Sequence, residues 1–164
     1  MKIGIYIFCI LLWACNAGAA TTGNSVARDS AAAHTISDPP AGYLFVYKND
    51  SLEQKMRVAY NNKKQAKMPF SLIVTNTRTH VSDTVTGTLE RLAPEGDSES
   101  DNADDGAFFF YDNWNYTKGK CQLNFRIDKD AMKYIRIQEF DCENLRKPGC
   151  PFETKGVLKR ADIQ

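Results

Sequence analysis

Residues 121–160 read CQLNFRIDKDAMKYIRIQEFDCENLRKPGCPFETKGVLKR, and the fold of the whole chain turns on how this stretch is read. In its opening, Cys121, Leu123, Phe125 and Ile127 alternate with Gln122, Asn124 and Arg126, the period of two that a strand shows when one of its faces is buried. Asp128-Lys129-Asp130 supplies a turn, and KYIRIQEF (133–140) a second strand. Cys142 and Cys150 then bracket a Pro148-Gly149 loop that leads to a third strand ending at Lys159-Arg160. A meander of this kind needs further sheet to cover its apolar face.

The upstream sequence provides that sheet. YLFVYK (43–48) is rich in aromatic and β-branched residues, and LEQKMRVAY (52–60) puts Leu52, Met56, Val58 and Tyr60 on one face. Asn49-Asp50 turns the chain between them, and the basic, Asn-rich run 61–67 turns it again before PFSLIVTN (69–76). A fourth strand lies in HVSDTVTGTLERL (80–92), where Val81, Val85 and Leu89 share a face and Gly87 predicts a bulge or bend. AFFFYDNW (107–114) is a fifth strand, and Trp114, Tyr116 and Lys118-Gly119 form its approach to the terminal meander. Helical periodicity is nowhere sustained over ten residues, and no internal repeat is visible. The expected fold is therefore all-β: a closed antiparallel barrel of about eight strands, with a β-sandwich as the alternative. Closure is favoured because it removes exposed strand edges. Phe45, Phe70, Phe110, Phe125 and Ile135 are large enough to fill such a barrel.

Between Leu92 and Phe108 the chain carries Glu95, Asp97, Glu99, Asp101, Asp104 and Asp105 and no Lys or Arg. A run this self-repelling reads as an exposed loop, and as an acidic finger it would speed encounter with a basic partner. A calcium loop aligned on Asp101 requires a ligand at Ala103, which has none to offer, so no metal is expected. No cofactor motif is present. His80 is the one histidine of this region, and no nucleophile, zinc, phosphate-loop or dinucleotide pattern accompanies it, so a catalytic site is not expected. The formal charge of +1 gives no basic field for nucleic acid.

MKIGIYIFCILLWAC (1–15) has one charge, at Lys2, followed by an apolar run that is too short to span a bilayer but suits an export signal. Two processing sites compete. Leu12-Trp13-Ala14-Cys15 has the form of a bacterial lipobox, which would leave a lipidated Cys15, whereas Ala17-Gly18-Ala19 suits plain cleavage. The lipobox is preferred because the apolar run ends at Cys15, and two acyl chains suffice for stable membrane attachment. The small, polar sequence that follows reads as a tether. The expected organisation is a signal peptide (1–14), a flexible tether (15–42) and a β-barrel domain (43–164). Export permits a disulfide among Cys121, Cys142 and Cys150. Cys142 with Cys150 is the favoured pair because they are close in the chain, and Cys121 with Cys142 is the other plausible one.

The order of these strands, with the closing FETKGVLKR (152–160), resembles small bacterial envelope lipoproteins with a calycin-like, lysozyme-inhibitor-like barrel. Tyr116-Thr117-Lys118-Gly119 followed by Gln122-Leu123 is similar to the W-x-K-G…L segment of membrane-bound inhibitors of c-type lysozyme, with Tyr116 where those proteins have Trp. The resemblance implies an outer-membrane or periplasmic protein that blocks a cell-wall hydrolase, a host lysozyme or a rival's toxin, with Lys118 in the inhibitory segment. The expected partner surface is Trp114, Tyr116 and Lys118 with the carboxylates from Glu95 to Asp105. The alternative function is a small-ligand-binding barrel of the envelope.

Overall fold

The computed structural model describes residues 42–93 and 99–162. The expected signal segment, the lipidation site Cys15, the tether up to residue 41, and Glu95 and Asp97 lie outside the described residues.

Nine strands occur among the described residues, and no helix. They are β1 (Tyr43–Lys48), β2 (Leu52–Val58), β3 (Lys67–Asn76), β4 (Ser82–Arg91), β5 (Ser100–Asn102), β6 (Phe108–Lys118), β7 (Cys121–Asp128), β8 (Tyr134–Phe140) and β9 (Leu158–Arg160). Each pairs antiparallel with its neighbour in the order β4-β3-β2-β1-β9-β8-β7-β6. The circle closes where Glu90 and Arg91 of β4 meet Asn115 and Trp114 of β6. This is the closed eight-stranded antiparallel barrel that the alternation predicts. β5 is an additional strand paired to the start of β6.

The alternation in CQLNFRI is borne out: Cys121, Leu123, Phe125 and Ile127 are all buried in the barrel interior. Phe45, Phe70 and Ile135 join them, and the edge-to-face contact of Phe70 with Phe125, 5.4 Å between centroids, spans the interior. Phe110, expected inside, is 40% exposed, because β6 begins beyond the barrel rim and its first residues project past the core. Gly87 causes no bulge. The register of β3 with β4 runs unbroken from Lys67↔Glu90 to Thr75↔Ser82. Gly87 instead leaves room for the Tyr116 ring, which would collide with a Cβ placed there.

At the narrowest seam, three-residue β9 joins β1 to β8. Where β9 ends its cover, Thr154 takes over, its N–H donating to the Ile137 carbonyl at 3.0 Å while its hydroxyl accepts the Ile137 N–H. Gln54, fully buried on the inner face of β2, donates its amide N–H groups to the carbonyls of Pro151, Phe152 and Glu153. These bonds draw residues 150–154 across the barrel end as a plug, with Phe152 buried in the core.

Candidate functional site

The plugged end of the barrel carries the β6–β7 turn, two residues long: Lys118 and Cys121 are paired, and Gly119-Lys120 connects them. Gly119 has φ +62°, a left-handed conformation that costs glycine little and other residues more. A positive φ at the first turn residue only is the pattern of a type II′ hairpin, whose twist matches that of the strands it joins. Lys118 and Lys120 flank this tip, both exposed, and neither ammonium group has a hydrogen bond or ion pair among the described residues. Most other lysines on the barrel wall do have partners: Lys55 pairs with Glu53 at 3.0 Å and Lys67 with Glu90 at 2.8 Å.

A disulfide anchors the base of this hairpin. Cys121 bonds Cys142, with 4.3 Å between their Cα atoms, and Cys150 is the buried free thiol. The expected Cys142–Cys150 pair is thus corrected, as is the idea that Cys121 is left over. Strand register explains the outcome: Gln122 lies opposite Phe140, so Cys121 stands level with Asp141, one residue from Cys142. Cys150 is carried away by the plug and packs against β3–β4, where its thiol donates to the Val81 carbonyl at 3.4 Å. Phe140, 49% exposed, adds an aromatic face beside the staple.

The other expected contact residues do not gather here. Trp114 is 3% exposed and belongs to the core opposite Phe125, so it is no surface contact. Residues 114, 116 and 118 share the inward side of β6, and only Lys118 passes the rim. Tyr116 is half-buried, its ring edge-on to Phe70 at 5.1 Å and its hydroxyl donating to the Thr86 carbonyl. Burial raises its pKa above the ordinary tyrosine value.

The described part of the acidic segment is not a free finger. Ser100–Asn102 forms β5, Ala103 is buried, and the carboxylates turn back onto the barrel's outer face. Glu99 accepts from the Tyr111 hydroxyl at 2.7 Å and from Asn113, and these hydrogen bonds hold its carboxyl below the usual range. Asp101 pairs with Arg126 at 3.2 Å and Arg136 at 2.9 Å. Asp104 accepts the Val157 N–H, and Asp105 pairs with Lys159 at 2.8 Å, which lowers its pKa. The physical reason lies in the sheet, where Arg126 and Arg136 stand directly opposite each other. Like charges so placed repel, and the Asp101 carboxylate shared between them offsets part of that repulsion.

Sequence reasoning missed Lys120, Phe140 and the Asp101 network. A turn placed at Gly119-Lys120 would have indicated the first, because both flanking lysines then leave the strand together. Compared with protein-family models, with curated proteins and with solved structures, the chain matches none.

Proposed function

We propose that this is an exported envelope protein, lipid-anchored through Cys15 at the outer membrane or in the periplasm, that binds and inhibits a cell-wall lytic enzyme. The observation that carries this reading is the stapled β6–β7 hairpin, which presents two ammonium groups, without a partner among the described residues, on a turn held by the Cys121–Cys142 bond. Glycoside-cleaving lytic enzymes work with two carboxyl groups that flank the scissile bond, and an ammonium group entering their cleft pairs with the ionised one. Fixing the hairpin before contact reduces the ordering cost of binding. The similarity of Tyr116–Gly119 to the lysozyme-inhibitor segment points to the same place.

The interior favours surface recognition over an enclosed ligand. Phe45, Phe70, Phe125, Phe152, Met56 and Met68 are each almost wholly buried within it. A void lined by Tyr60, Met68, Trp114, Ile127 and Met132 measures about 10 Å³, room for one water at most.

The test is a cell-wall hydrolysis assay with c-type lysozyme and a panel of bacterial peptidoglycan hydrolases. The protein is expected to stop at least one of them near equimolar ratio, and Lys118→Ala with Lys120→Ala to weaken that inhibition about tenfold or more, the scale of a lost charge pair in an interface. Full activity of every enzyme at large molar excess contradicts the proposal. For the anchor, Cys15→Ala should move the protein from the membrane to the soluble fraction.

A further inference from the structure

On the outside of the barrel, apart from the main core, lies a second small apolar cluster: Ala103, Phe109, Tyr111 and Val157, with Ala107 and Tyr134 against it. Ala103 and Ala107 belong to the β5–β6 turn, which folds over the outer faces of β6, β7, β8 and β9. β5 has three residues and one strand neighbour, so its ladder alone holds it weakly. Its remaining links to the barrel end almost entirely on carboxylates. Asp101 meets Arg126 of β7 and Arg136 of β8, Asp104 the Val157 amide, Asp105 Lys159 of β9, and Glu99 the Tyr111 hydroxyl and Asn113 of β6. Two backbone carbonyls of the segment add to these: that of Asn102 accepts from Arg136 at 2.8 Å and that of Glu99 from the Tyr111 N–H at 3.3 Å.

We propose that residues 99–107 form a lid latched by carboxylates over the Phe109–Tyr111–Val157 patch, and that acid releases the lid while the barrel stays closed. The groups facing the latch are Arg126, Arg136, Lys159, Tyr111 and Tyr134, and none of these changes charge on going from neutral to acid. The titrating partners are therefore the lid's own carboxylates. Hydrogen bonds depress the Glu99 and Asp105 carboxyls, so their contribution is complete above the unfolded carboxyl range, near pH 4, and is lost as pH falls through the depressed values. The open form exposes aromatic rings beside two arginines, a composition common in binding hot spots.

Residue-resolved amide exchange on the protein at pH 7 and pH 3.5, each corrected for intrinsic rates, tests this. The Tyr111 amide, bonded to the Glu99 carbonyl at 3.3 Å, and the Val157 amide, bonded to the Asp104 carboxylate, report on the lid. Their protection should fall several-fold at pH 3.5 as the depressed Glu99 and Asp105 carboxyls begin to protonate, while the Leu123 and Ile137 amides keep theirs. Asp101→Asn with Asp105→Asn should produce the same pattern at pH 7. Lid protection unchanged in acid, lid and barrel amides losing protection in step, or a double variant that stays protected at pH 7 would each overturn the proposal.

Discussion

Gly87 lies under the ring of Tyr116, so a methyl group at this position must displace an aromatic side chain that is itself wedged against Phe70. Gly87→Ala is expected to destabilise the barrel by about 1–3 kcal/mol through overpacking, read as a lower urea midpoint at unchanged slope. Phe125→Ala removes a ring at the centre of the core and should cost about 3–5 kcal/mol in the same measurement. Phe125 was legible from alternation alone. Gly87 was not, because the sequence shows a missing side chain without showing which ring fills the gap. Trp114 was misread although its position contained the answer: in a strand, residues 110, 114 and 116 share a face, so expecting Phe110 inside and Trp114 on a contact surface conflicts with the period of two.

At the scale of elements, the long strands were legible because each has a face to bury, whereas β5 was not. Ser-Asp-Asn has no apolar residue to alternate, and its strand conformation comes from pairing with β6 and from arginines distant in sequence. The disulfide was misassigned for a related reason. Closeness along the chain favoured Cys142 with Cys150, while the register of β7 with β8 brings Cys121 to Cys142 across 21 residues. Replacing Cys121 and Cys142 by Ala should lower stability by about 2–4 kcal/mol, measured by urea unfolding, and weaken inhibition further by loosening the hairpin. Loss of Cys150, a free buried thiol, should leave inhibition intact.

For the whole molecule, closure leaves the barrel with one continuous core and moves recognition to its turns and outer face. The tyrosines give a global test of that closure. Burial raises the pKa of Tyr60, Tyr111 and Tyr116, with nearby acidic groups adding to the effect for the first two. A raised folded pKa contributes stability that is complete below the unfolded value, near pH 10, and is lost as pH rises through the folded values. Stability should therefore fall above about pH 10, and phenolate absorbance should show a late-titrating fraction that disappears in denaturant. The sequence made this barrel readable through alternation, and it pointed to Lys118. It could not show that the lysine stands on a stapled tip, since the staple is a product of register.

The most direct measurement of the central claim is lysine acetylation footprinting of the protein alone and mixed with a cell-wall hydrolase, the proposed partner. Lys118 and Lys120 should be labelled several-fold more slowly in the complex, while Lys64, exposed on the β2–β3 turn at the opposite end, keeps its rate. Inhibition with Lys118 and Lys120 labelled as fast as in the free protein would contradict the account.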